Sequence, residues 1–221
     1  METTQPISGI YERWSRALSS IVFRKQLFVY LLIFVAILIF FPNFFAFIES
    51  RKGWLITDPV LQLIPANDFS IITFSIIWIM SFLLFIRIIQ LPSLALLSII
   101  AIDLIFITRM ITIFLFPLEP PSGLIALEDP ISNFFYGNTH GFITRDLFFS
   151  GHTSSMIMIG LLLPGKWEKR LAFTAALAVG FLVLVQHIHY SIDVLGAWVF
   201  TWFLYRLAKA IIVIPQNASP N

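Results

Sequence analysis

Residues 27–48 read LFVYLLIFVAILIFFPNFFAFI, a stretch without one charged side chain. A helix needs about 20 mostly apolar residues to cross the hydrocarbon of a bilayer, and this run is long enough. Further apolar runs follow, and they decide the class. The chain is 58% hydrophobic and only 12% charged, where a soluble domain carries roughly 25% charged residues. Membrane embedding follows from that deficit, and the 24 Phe residues suit a lipid-facing surface.

Outward from that run, five more spans are expected at about 69–89, 92–116, 151–164, 170–187 and 189–211. The expected architecture is an all-α bundle of six transmembrane helices. Residues 27–211 form the membrane catalytic domain, 1–26 a cytoplasmic or interfacial segment and 212–221 a tail. Within the first segment, residues 7–25 place Ile7, Ile10, Tyr11, Trp14, Leu18, Ile21 and Val22 at helical spacing, with Arg13, Arg16, Arg24 and Lys25 elsewhere. That pattern fits a helix lying in the membrane interface; a flexible cytoplasmic tail is the plainer reading. The N-terminus does not read as a cleavable signal, because the first long apolar run follows without a small-residue cleavage site.

With six spans, ten basic residues gather on the side of both termini and the turns near 87–90 and 166–170, against Arg51, Lys52 and Arg145 on the other. The positive-inside rule puts the first side in the cytoplasm. Loops 49–68 and 117–150 then face periplasm, lumen or exterior. A 34-residue connection in so small a protein is often functional, and it is expected to cap a cavity or to hold a short interfacial helix. The basic residues mark helix ends, not a nucleic-acid surface, so no nucleic-acid partner is expected. Cysteine is absent, which excludes disulfides and thiolate chemistry.

All four histidines, His140, His152, His187 and His189, fall in the outward loops or at adjoining helix ends. His140 reads most simply as a hydrogen-bonded structural residue. In Ser150-Gly151-His152, Ser150 is a good N-cap. His152 lies in the first helical turn, beside free N–H groups suited to an anion such as phosphate; a plain helix cap is the competing reading. His189 and Asp193 are four apart and share a helical face. A carboxylate inside an apolar span is costly and marks a functional candidate. Paired with His189, it would fix the tautomer and leave the other ring nitrogen free to attack or to bind metal. A structural His–Asp link remains the alternative. Arg109 suits phosphate or carboxylate recognition, or else a structural ion pair with Asp103 or Asp193.

These motifs resemble the type 2 phosphatidic acid phosphatase superfamily, and most closely its sphingomyelin-synthase branch. The resemblance rests on Ser150-Gly151-His152 followed by His189-Tyr190-Ser191-Ile192-Asp193. Asp146-Leu147-Phe148-Phe149 and His187 precede the two motifs, and Arg109-Met110-Ile111-Thr112 runs into Pro117-Leu118-Glu119-Pro120. A Pro/Asp-containing loop at 57–68 adds a weaker match. The resemblance implies a phosphohistidine route without cofactor or metal. His189 would be the nucleophile, Asp193 its orienting carboxylate and His152 the acid and then the base. Substrate contacts would come from Arg109, Arg145, Asp146, Ser150, Gly151, His187 and Tyr190. The implied partners are membrane lipids: a phospholipid donor and a ceramide- or diacylglycerol-type acceptor. Position 182 is Leu where the ordinary phosphatases carry Arg, and their Lys-x6-Arg-Pro motif is missing. Both departures favour transfer to a lipid alcohol over hydrolysis, with a lipid phosphatase or phospholipase-type hydrolase as the alternative.

Overall fold

The computed structural model describes residues 9–127 and 143–213, so His140 and the middle of the 117–150 loop lie outside the described residues. The described residues form seven α-helices: α1 (Ile10–Ser19), α2 (Ile21–Ser50), α3 (Ser70–Gln90), α4 (Pro92–Leu115), α5 (Gly151–Leu162), α6 (Lys166–Val185) and α7 (Ser191–Ile211). Among the described residues there is no strand, only an isolated bridge between Trp54 and Leu118. The all-α class holds. Among the described residues, four helices, α2, α3, α4 and α7, are long and apolar enough to cross a membrane.

Local sequence explains the boundaries. Helix α1 does not run through residue 25. It breaks at extended Ser20, whose hydroxyl accepts the Phe23 N–H and caps α2. Residues 21–26 therefore belong to the long second helix. Pro92 opens α4 at a position where its missing N–H costs nothing. Pro164 stops α5, because the residue before a proline is pushed out of the helical region, and Leu163 is accordingly extended at ψ 135. The segments expected at 170–187 and 189–211 are separated by five residues, 186–190, rather than by almost none.

The twelve-residue α5 is only about 18 Å long at 1.5 Å per residue. Eight of its residues are buried, and it packs against α3, α4, α6 and α7. It is the axis of the bundle, which explains why it is apolar all round rather than amphipathic. The long α2 leans chiefly on α4. It leaves Phe28, Leu32, Ile39 and Phe40 exposed, the surface a lipid environment would cover.

Polar contacts sort the two ends. At one end the Arg13 guanidinium donates to the Gln90 carbonyl and the Trp14 indole to that of Ile89. Arg87 pairs with Glu168 across the two interhelical turns, and Gln26 holds Val213. At the other end lie the loops. Trp54 and Glu119 exchange main-chain bonds with the opposing loop. Arg145 binds Glu119 and Glu49, and Asp58 accepts from Val60, Leu61 and Ser191.

Candidate active site

The site forms where the N-termini of α5 and α7 meet at the loop end. Ser150 caps α5 by accepting the Thr153 N–H at 3.3 Å. Its own N–H donates to the Asp193 carbonyl at 3.1 Å, so the two histidine motifs are joined through the main chain. Asp193, in the first turn of α7, has no exposed surface. Its Oδ2 accepts the Tyr190 N–H at 2.9 Å and lies 3.2 Å from His189 Nδ1. With that oxygen acting as acceptor, Nδ1 is the donor of the pair, and Nε2 keeps its lone pair.

His152, partly exposed, projects from the first turn of α5. Its ring centroid is 6.1 Å from that of His189 and 6.1 Å from that of Phe74, whose ring meets it edge-on. Arg109 closes the site from α4. Its Nε donates to the Phe149 carbonyl at 2.9 Å, and its NH2 donates to Asp146 at 2.6 Å. The guanidinium lies directly against Gly151, where an added Cβ would fall 2.7 Å from its central carbon. Only glycine leaves room for that cation over the start of α5. Arg109 therefore pairs with neither Asp103 nor Asp193. Asp103 is 2% exposed on α4, with both oxygens unpartnered among the described residues.

His152, His189, Asp193, Ser150, Gly151, Arg109 and Asp146 are thus drawn into one continuous arrangement. The other three expected contacts sit in the scaffold around it. The Tyr190 hydroxyl donates to the Glu119 carbonyl at 2.9 Å and accepts from Ile56 at 3.4 Å. Burial pushes this phenol up, so it stays a donor at neutral pH. Arg145 is bonded to Glu49 and Glu119. His187 holds the carbonyls of Ile64 and Ser122.

Three supporting residues carry roles that sequence reasoning did not assign. Thr112 donates to the Phe148 carbonyl at 2.8 Å and helps seat the segment before α5. Asp58 binds the Ser191 N–H at 2.6 Å, at the opening of α7. Burial works to raise its carboxyl, but the bonds from Ser191, Val60 and Leu61 outweigh that and hold it below the usual range. Gln186, fully buried, donates to Asp68 and Ser70. The available signal was a polar side chain in a mostly apolar sequence, which points to a residue but not to its partner. No group of three or more potential metal ligands occurs among the described residues.

Residues 145–210, a block enclosing both histidine motifs, match the family model described as PAP2 superfamily C-terminal. No curated protein and no solved structure matches the chain. The match covers less than a third of the chain, and it likens this block to the C-terminal part of PAP2-superfamily proteins.

Proposed function

We propose, from the premise of a PAP2-superfamily block at residues 145–210, that this protein is a lipid phosphotransferase resembling sphingomyelin synthase. It moves a phospho-head group from a glycerophospholipid to a lipid alcohol such as ceramide. His189 Nε2 attacks phosphorus and displaces the diacylglycerol oxygen, forming a phosphohistidine. His152 gives that oxygen its proton. It then takes the proton of the acceptor hydroxyl, whose oxygen attacks phosphorus and frees His189. Asp193 orients His189 and balances the charge that builds on its ring. Arg109 and the N–H groups opening α5 stabilise the phosphoryl oxygens.

The observation that carries this reading is the buried His189–Asp193 pair, 3.2 Å apart, with the His152 ring 6.1 Å from that of His189. The basic turns and termini lie in the cytoplasm, so the site opens to the opposite leaflet. In this topology α5 and α6 complete six passes.

Hydrolysis uses the same residues with water as acceptor. Leu at position 182 and the missing Lys-x6-Arg-Pro motif favour a lipid acceptor. Purified protein in phospholipid vesicles, with and without ceramide, separates the two by mass spectrometry of the products. Ceramide bearing the head group is expected; free head group or phosphate alone would mark a hydrolase.

A further inference from the structure

His187 stands two residues before the proposed nucleophile, in the turn that joins α6 to α7. Its backbone is left-handed, at φ 55, a conformation uncommon for a side-chain-bearing residue, though enriched for His, Asn and Asp. The residue is 9% exposed, and its ring sits between two loops. Nδ1 is 2.9 Å from the Ser122 carbonyl and Nε2 is 2.9 Å from the Ile64 carbonyl. The Ser122–Gly123 turn lies against the ring, and a Cβ at Gly123 would sit at ordinary van der Waals distance, 3.4 Å, from Nδ1. Gly123 itself is at φ 78, which glycine adopts without strain.

A carbonyl oxygen only accepts hydrogen bonds. A neutral imidazole has one N–H, whereas an imidazolium has two. Both contacts are therefore hydrogen bonds only when the ring is cationic. We infer that His187 is a positioning residue, an imidazolium that clasps the 51–68 and 117–127 loops to the turn carrying His189. The inference rests on the proposed role of His189 as nucleophile.

The surroundings fit a lone cation held by dipoles. His187 lies at the C-terminal end of α6, where the helix dipole favours positive charge. The acidic groups on the packed elements are engaged elsewhere. Asp58 binds Val60, Leu61 and Ser191; Asp68 binds Ser70 and Gln186; Glu119 binds Gly53 and Arg145; Asp193 binds His189 and Tyr190. Among the basic groups, Arg51 donates to the Ile113 and Phe114 carbonyls. Lys52 and Arg145 both act on Glu119, and His189 faces Asp193. Main-chain bonds from Asn67 to Val185 and from Ile125 to Gln186 already bring each loop to this turn. The ring adds a second bond to each loop, beside His189. When the ring has only one N–H, one of the two carbonyls loses its donor, and that loop keeps only its main-chain bond to the turn. Activity therefore falls as pH rises.

The test is nitrogen-15 NMR of the whole protein, labelled at histidine and embedded in lipid nanodiscs, from about pH 5 to about pH 9. The four histidines are assigned by elimination with His140→Gln, His152→Gln and His189→Asn. The expected result is two N–H groups on His187 at the acidic side. Loss of one should coincide with broadening of the His189 Nδ1–H signal and with an alkaline fall in turnover. His187→Asn keeps a residue tolerant of left-handed backbone. It should lower kcat about tenfold with KM little changed and remove the alkaline limb. A single N–H on His187 throughout would overturn the clasp, as would an unchanged alkaline limb in the folded variant. If the variant does not fold, the native spectrum decides alone. An intact clasp coupled to His189, in a protein that transfers no head group, supports this inference and refutes the functional reading.

Discussion

The backbone N–H of Ser150 donates to the carbonyl of Asp193 at 3.1 Å. The helix cap of one motif is thus fastened to the orienting carboxylate residue of the other. Replacing the Asp193 side chain leaves that main-chain bond in place. Asp193→Asn should therefore keep the fold while disturbing the His189 tautomer, and turnover should drop on the order of 100-fold or more. Thermal melting and turnover measured on the same preparation check this; near-normal turnover would remove Asp193 from the mechanism.

Gly151→Ala probes the contact between Arg109 and the start of α5. A methyl group there collides with the guanidinium, and overpacking of this kind costs about 1–3 kcal/mol. The cation must shift away from Asp146 and the Phe149 carbonyl, so turnover should fall at least about tenfold by the same scale. Comparison with the native protein, with thermal melting measured alongside turnover, separates this effect from generic destabilisation. Equal activities would mean that the placement of Arg109 does not matter.

The loop end should be sensitive to acid. The Gly53 N–H and then Arg145 hold the Glu119 carboxyl below its ordinary value of 4.5. A group depressed in the folded state contributes stability that is present above its unfolded value and lost as pH falls through the folded one. Below about pH 4.5, Glu119 should begin to release Gly53 and Arg145 and loosen the two loops. Hydrogen exchange at residues 53–54 and 118–119, corrected for intrinsic rate, should rise on acidification in the native protein. Asp58 titrates in the same direction, so Glu119→Gln should shrink the step without abolishing it. An unchanged step in Glu119→Gln would assign the acid response to other groups.

Orientation can be tested because the chain has no cysteine. Ser122→Cys lies in the 117–127 loop and Trp167→Cys at the exposed start of α6. An impermeant thiol reagent applied to intact cells should label the first, and should reach the second only after permeabilisation. The reverse pattern would place the site in the cytoplasm.

Hydropathy alone located α2, α3, α4 and α7, whose apolar runs are of membrane length; the twelve-residue α5 is too short to give that signal. The His189–Asp193 pairing is expected from residues four apart on one helical face; the pair forms, but His189 reaches Asp193 from the turn before α7 and not from the helix itself. What could not be read is whatever depends on distant chain segments. Arg109 offered Asp103 and Asp193 as partners along the sequence, yet Asp146, on the segment before α5, reaches it. Arg145 and Tyr190 had the chemistry of phosphate ligands, but loop packing gives them Glu49, Glu119 and Ile56. The left-handed backbone at His187 separates α6 from α7, and no periodicity announces it.

The central claim, that His189 carries the phospho-head group, is tested most directly by trapping it. The protein is mixed with vesicles of phospholipid labelled at phosphorus, quenched in alkaline denaturant and digested, and the labelled peptide is sequenced by mass spectrometry. The account predicts an acid-labile, alkali-stable phosphoryl group on His189. It should be absent from His189→Ala and should discharge onto ceramide when that acceptor is added. Steady transfer by native protein with no label on His189, or full activity in His189→Ala, would contradict it.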